Sequence, residues 1–204
     1  MYRPEKEQLA NLPTRIHLLR LSSDSLFKGR RIWIKRDDDT GGLLSGNKVR
    51  KLEFVAKEAL NTGCDMLITC GGLQSNHCRA TAAVARFLDM NVSLLLRGTE
   101  PSSTEGNYFL DRLLGADIRF ITPEQYKSRN ELMEEEAEQH RSAGRKPYVV
   151  AEGASMPVGV WGYIEAASEI AMTEKSLGVR FDSIVTAAGS GGTSAGLEIG
   201  FHDG

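Results

Sequence analysis

DMLITCGGLQSNHCRATAAVARFLDMNVSLLLRG, residues 65–98, holds two apolar runs of strand length on either side of one helical segment. DMLITC (65–70) and NVSLLLRG (91–98) read as buried strands, and 76–88 has the apolar spacing of a helix. Two strands joined through a helix cannot form a hairpin, so they pair in parallel, and the faces of a parallel sheet must be covered by helices. The alternation continues outward in both directions. Upstream, RIWIKRD (31–37) alternates as a strand and 47–61 as a helix. Downstream come helix 104–115, strand ADIRFIT, charged helix 123–142, strand PYVVAEG (147–153), helix 158–177, strand DSIVTAAG (182–189) and a last helix from Thr193. Repeated strand–helix units predict an α/β protein with helices on both faces of a parallel sheet.

Composition narrows the function. With 41% hydrophobic and 25% charged residues, 204 residues can bury a core. A net charge of -2 provides no field for nucleic acid or an anionic membrane, which leaves a small ligand as the expected partner. Cys64, Cys70 and Cys78 are odd in number and form no C-x-x-C pair, so they read as free thiols of a reducing compartment. MYRPEKEQLANLP lacks the apolar core of a secretory signal, and no run reaches the ~18 apolar residues of a membrane span. Cytoplasm is the expected location, with an organelle address left open. His17, His140 and His202 are too scattered to hold a metal, and ELMEEEAEQH (131–140) reads as a solvated helix face.

Ligands of open α/β sheets gather at the carboxyl ends of strands, where two loops stand out. GGLQSNHCR (71–79) presents Gln74, Ser75, Asn76 and His77 at a helix start. GSGGTSAG (189–196) turns through glycines into a helix, offering backbone N–H donors, hydroxyls and a favourable dipole to an anion. It fits neither G-x-G-x-x-G, since Ser194 stands where the third glycine would be, nor a P-loop. A tight turn with no ligand and a dinucleotide site remain the competing readings.

SGNKVRKLEF (45–54) then places Lys48, Arg50 and Lys51 at a helix start, where the macrodipole is positive and cations are least welcome. A lysine desolvated there is pushed toward its neutral amine, which attacks carbonyls. Lys51 lies one turn on along the same face. A ligand carrying an aldehyde and a phosphate would answer both lysines, and pyridoxal 5′-phosphate is such a ligand. Against this, Lys48 could be a solvated surface residue, Lys51 and Arg50 could pair with Glu53 or Glu58, and Ser75 and Asn76 could only cap a helix.

KRDD (35–38), SGNKVRKLEF, GGLQSNH followed by Arg79, and GSGGTSAG together resemble, in order and spacing, the D-cysteine desulfhydrase and 1-aminocyclopropane-1-carboxylate (ACC) deaminase family. The resemblance runs from about Pro13 to Gly204. It implies the tryptophan synthase β-like fold (fold type II): two three-layer α/β/α domains with parallel sheets and the cofactor between them. Residues 1–51 and 159–204 would belong to the larger domain, left incomplete here, and 52–158 to the smaller. It further implies Lys48 as the Schiff-base lysine, Lys51 on the phosphate, and Asn76 on the cofactor's 3′-oxygen. Gln74, Ser75, Asn76 and His77 would face the substrate, with Ser75 taking part in catalysis. Gly189, Ser190, Gly191, Gly192 and Thr193 would hold the phosphate. Ser45 replaces a glycine of the family's motif and reads as an N-cap. The implied reaction is that of D-cysteine desulfhydrase, giving pyruvate, ammonia and hydrogen sulfide. The alternative is ACC deaminase, giving 2-oxobutanoate and ammonia. A homodimer, a chain truncated at its C-terminus and weak or absent activity for the 204 residues alone are also expected, a silent homologue acting as a binding module being the reading from another class.

Overall fold

The computed structural model describes every residue except 1, 2, 21, 23–25, 28, 203 and 204. Its centre is β3 (Met66–Gly72), buried along almost its whole length. On one side β3 pairs in parallel with β4 (Asn91–Arg97), Met66 opposite Asn91 through Gly72 opposite Arg97. On the other it pairs with β6 (Pro147–Val149), and β4 in turn pairs with β5 (Asp117–Ile121). The four-stranded parallel sheet has the order β5-β4-β3-β6. Pro147 opens an edge strand, where its missing N–H costs no ladder bond.

Strand periodicity sends alternate side chains to two cores. Leu67, Leu94 and Leu96 pack with Val49, Leu52, Ala80 and Val84 of α1 (Asn47–Asn61) and α2 (Asn76–Phe87). Met66, Ile68, Cys70 and Leu95 pack with Met133 and Ala137 of α4 (Arg129–Ser142). Helices therefore cover both faces, as the 65–98 stretch predicts. The three cysteines are free thiols, and among the described residues no helix is long and apolar enough to cross a membrane.

Helix α1 is held by α5 (Pro157–Leu177), and α5 by α6 (Gly192–His202), through backbone approaches that tolerate no side chain. A Cβ on Gly162 would lie 2.3 Å from the carbonyl oxygen of Arg50, and one on Gly196 would lie 2.6 Å from that of Val160. Both are inside any real contact distance, so α1, α5 and α6 stack as near neighbours. This stacking brings the start of α6 against the start of α1.

Arg50 answers part of the question set by its charge. Its side chain is fully buried, and its guanidinium donates to Asp37 (2.9 and 3.0 Å), to Glu169 of α5 (2.8 and 2.9 Å) and to the Thr14 hydroxyl (2.9 Å). Tyr163 donates to Asp37 at 2.6 Å, and Lys35 pairs with Glu169. Burial opposes the guanidinium's charge, but its bonds to Glu169 and Asp37 hold the pKa above its ordinary value. Arg50 therefore clamps α1 to α5 and to the N-terminal segment. It does not pair with Glu53 or Glu58; Glu53 instead accepts from Lys6, Leu9 N–H and Ala10 N–H.

Three local expectations need correction. Ser45 does not cap α1: the cap is Gly46 at φ 97°, a backbone that favours glycine, and no side chain bonds there. Segment 182–189 forms no strand, with Val185 94% exposed, because no described segment lies beside it to complete a ladder. Strand 31–37 shortens to β2 (Trp33–Lys35) and pairs antiparallel with β1 (Ile16–Leu18), outside the parallel sheet. A second parallel sheet is thus not among the described residues.

Asp111 of α3 (Gly106–Leu113) is fully buried, with neither carboxylate oxygen hydrogen-bonded. Burial pushes its pKa up to about 7, partly offset by the Arg79 charge. The acid is then protonated in the folded chain, and already ionised in the unfolded chain, between pH ~4 and ~7, so stability falls as pH rises through that window. Urea midpoints should show wild type losing up to ~4 kcal/mol relative to Asp111→Asn between pH 4 and 8. Parallel pH profiles would refute this account of Asp111.

Candidate active site

The cleft is built where α1 and α6 begin. Asn47, Lys48 and Lys51 line it from α1, facing Ala187, Gly189, Ser190, Gly191, Thr193 and Ser194 of the glycine turn. The Asn47 side-chain amide donates to the Thr193 hydroxyl (3.3 Å) and its oxygen accepts from the Lys48 amine (2.9 Å). Lys51 donates to the Gly153 carbonyl and the Ser155 hydroxyl, both at 3.2 Å. Among the described residues neither lysine has a carboxylate within ion-pair distance. Burial lowers the pKa of Lys48, and burial together with the Lys48 charge lowers that of Lys51 to about 8. Both amines are therefore neutral in a larger fraction of molecules than a surface lysine at the same pH.

The donors facing these amines suit an anion. The start of α6 lines the cleft, where the first N–H groups of a helix lack intrahelical partners, and the hydroxyls of Ser190 and Thr193 belong to the same wall. A Cβ on Gly192 would lie 2.8 Å from the Lys51 amine and 2.5 Å from the Ser155 oxygen, so only glycine leaves the cradle open. One desolvated amine for an aldehyde, and a second amine with helix-terminal donors for a phosphate, fit pyridoxal 5′-phosphate.

Residues 74–77 run from the turn after β3 into the first residues of α2. Gln74 is spent locally: its oxygen accepts from Asn107 N–H (2.8 Å) and its nitrogen donates to the Glu105 carbonyl (3.2 Å). The Ser75 hydroxyl caps α2, accepting from the N–H groups of His77 and Cys78 at 3.2 Å. Asn76 is exposed and accepts from the Asn107 side chain at 3.0 Å. His77 points inward, bonded to the Thr69 hydroxyl at 2.8 Å, and burial with the nearby charges of Lys48 and Lys51 drives its pKa down to about 3. The ring is therefore interior and bonded to β3. None of the hydrogen bonds of residues 74–76 among the described residues reaches Lys48 or Lys51.

Sequence reasoning missed Asn47 as a link between the two walls, and Gly153 and Ser155 beneath Lys51. A signal for the last two existed: EGASMP (152–157) follows strand β6 at the same carboxyl edge as the other loops. Arg79, noted in sequence only as part of a motif, donates to the carbonyls of Leu43 and Ser45 and so fixes the turn that leads into Lys48.

Comparison with known proteins agrees with this geometry. A bifunctional D-cysteine desulfhydrase/1-aminocyclopropane-1-carboxylate deaminase of Arabidopsis thaliana, named as mitochondrial, is 47% identical over 94% of this chain and 50% of its own length. A D-cysteine desulfhydrase of Yersinia pestis is 44% identical over 91% of the chain and 57% of its own length. A crystal structure described as an ACC deaminase homologue superposes with a TM-score of 0.88 at 41% identity, covering 97% of this chain and 59% of that one. The chain spans about half the length of the curated relatives it matches. These neighbours have the fold type II architecture of pyridoxal phosphate enzymes. The family profile described as pyridoxal-phosphate dependent enzyme matches residues 8–204, nearly the whole chain, and the protein belongs to that family.

Proposed function

We propose that the protein is a pyridoxal phosphate-dependent lyase of small amino acids, acting on D-cysteine to release pyruvate, ammonia and hydrogen sulfide. The observation that carries the reading is the pair of desolvated lysines, without carboxylate partners among the described residues, facing the glycine turn at the start of α6. When bound, the cofactor supplies an aldehyde that condenses with amines and a ring that accepts electrons from Cα. The protein supplies the rest. Lys51, the α6 N–H groups and Thr193 would hold the phosphate, and Lys48 would meet the aldehyde. The Lys48 amine would also take the Cα proton of the substrate, its lowered pKa raising the neutral fraction available as a base. Ser75 and Asn76 orient the substrate carboxylate and the cofactor's 3′-oxygen, while Gln74 and His77 hold the turn in shape. Loss of the thiol from Cβ and hydrolysis then give the three products.

ACC deamination is the second reading, favoured by the bifunctional plant relative and by the deaminase-like crystal structure. Both reactions begin with an amino acid bound to the same cofactor and differ in the bond that yields. The purified protein reconstituted with pyridoxal phosphate should show a higher kcat/KM for hydrogen sulfide release from D-cysteine than for ammonia release from the cyclopropane substrate. The reverse order would assign it to deamination. The family resemblance also supports a homodimer with residues 52–158 as the smaller domain, and a cytoplasmic location is proposed beside it. An organelle remains compatible with the mitochondrial relative.

A further inference from the structure

Ser155 lies outside the glycine turn, yet the turn and α1 both bond to it. Its oxygen accepts from the Lys51 amine at 3.2 Å and from Gly192 N–H at 3.2 Å. A serine hydroxyl has two lone pairs and one proton, so these two bonds saturate it as an acceptor. The proton is left for the Ser190 hydroxyl oxygen at 2.6 Å, with the Gly153 carbonyl at 3.5 Å as the weaker choice. A cation from α1 thus meets a helix-terminal N–H and a hydroxyl from the glycine turn at one neutral hydroxyl. These are the groups the cradle would offer to an anion.

We propose that Ser155 is a placeholder for the phosphate: its hydroxyl holds the cradle's donors together and yields them when a phosphate group enters. The inference rests on the cradle reading above and adds a residue that competes with the ligand. An anionic oxygen is the stronger acceptor for an ammonium and a helix N-terminus, so the Lys51 amine and Gly192 N–H transfer to it and Ser155 turns away. The two bonds broken at Ser155 are subtracted from the affinity for the phosphate. Without the serine, Gly192 N–H loses its side-chain acceptor and Lys51 keeps the Gly153 carbonyl, so an entering anion gains its contacts without breaking the two bonds at Ser155.

The test uses inorganic phosphate as the probe, with calorimetry on the cofactor-free protein. Ser155→Ala should bind phosphate about 3- to 10-fold more tightly than wild type, the ratio expected when one or two net hydrogen bonds no longer compete. Equal or weaker binding by Ser155→Ala would overturn the proposal, since Ser155 would then be a bystander or a ligand of the anion. Should the alanine variant fail to fold, Ser155→Asp serves. Its fixed carboxylate should weaken phosphate binding by at least ~10-fold and raise the Lys51 pKa above about 8, read by NMR of isotopically methylated lysines. An unchanged phosphate affinity in Ser155→Asp would also sink the idea. If wild type itself binds no phosphate, the cradle reading falls and takes this one with it. Phosphate binding by wild type without the Ser155 effects removes the placeholder alone.

Discussion

Replacing Arg50 with methionine is expected to destabilise the fold by about 3–5 kcal/mol, the usual cost of removing one partner from a buried ion cluster. In the wild-type protein the cluster is balanced, Arg50 and Lys35 against Asp37 and Glu169. The variant fills the space but leaves the partly buried carboxylates of Asp37 and Glu169 without the guanidinium. Burial pushes the Asp37 and Glu169 pKa values up, yet bonding to Arg50 more than reverses this and both lie below the usual carboxylate range. A depressed carboxylate contributes stability above its unfolded pKa of about 4 and loses it as pH falls through the folded value. The variant lacks that contribution, so its deficit should be largest near pH 7 and narrow below pH 4. Urea denaturation at the two pH values reads the difference. A deficit under ~1 kcal/mol at pH 7 would mean that Arg50 does not clamp α1 to α5.

Lys48→Ala should leave the fold nearly intact and abolish the chemistry. Among the described residues the Lys48 amine makes a single hydrogen bond, to its neighbour Asn47, so its loss costs little in bonding. The urea midpoint should move by less than ~1 kcal/mol, the net worth of one such bond. Turnover of D-cysteine should fall by at least ~10³-fold, since the variant loses both the amine that carries the coenzyme and the base that takes the Cα proton. The phosphate cradle remains, so the variant should still bind pyridoxal phosphate reversibly and lose it on gel filtration. Activity within ~10-fold of wild type would remove Lys48 from the mechanism.

The contrast between these two cations shows what the sequence could and could not reveal. Crowding at a helix start marked 48–51 as unusual, and α1 forms over the stretch that periodicity predicts. Periodicity also found β3, α2 and β4, because a strand buried on both faces and a helix packed on one leave their pattern within a few residues. The partners of Arg50 were not legible. Asp37 and Glu169 lie 13 and 119 positions away, and only the glycine contacts of α5 bring the second into reach. Ser155 was hidden for the same reason, since its importance lies in which donors from two other segments meet it.

Residues 182–189 have strand composition, but composition cannot supply the neighbour that a strand needs. His77 follows a polar turn, which left a substrate contact and a local structural role equally open, and the first turn of α2 carries its ring inward to Thr69. The two lysines of SGNKVRKLEF needed only their own segment and a glycine turn to be recognised, and these are the residues the cleft brings together.

Borohydride reduction of the protein loaded with pyridoxal phosphate, followed by peptide mapping, tests the central claim most directly. The account predicts one stable adduct, on Lys48, in the peptide that contains residues 47–50 when cleavage permits. An adduct on Lys51 or Lys35 in place of Lys48, or retention of the label by Lys48→Ala, would contradict it.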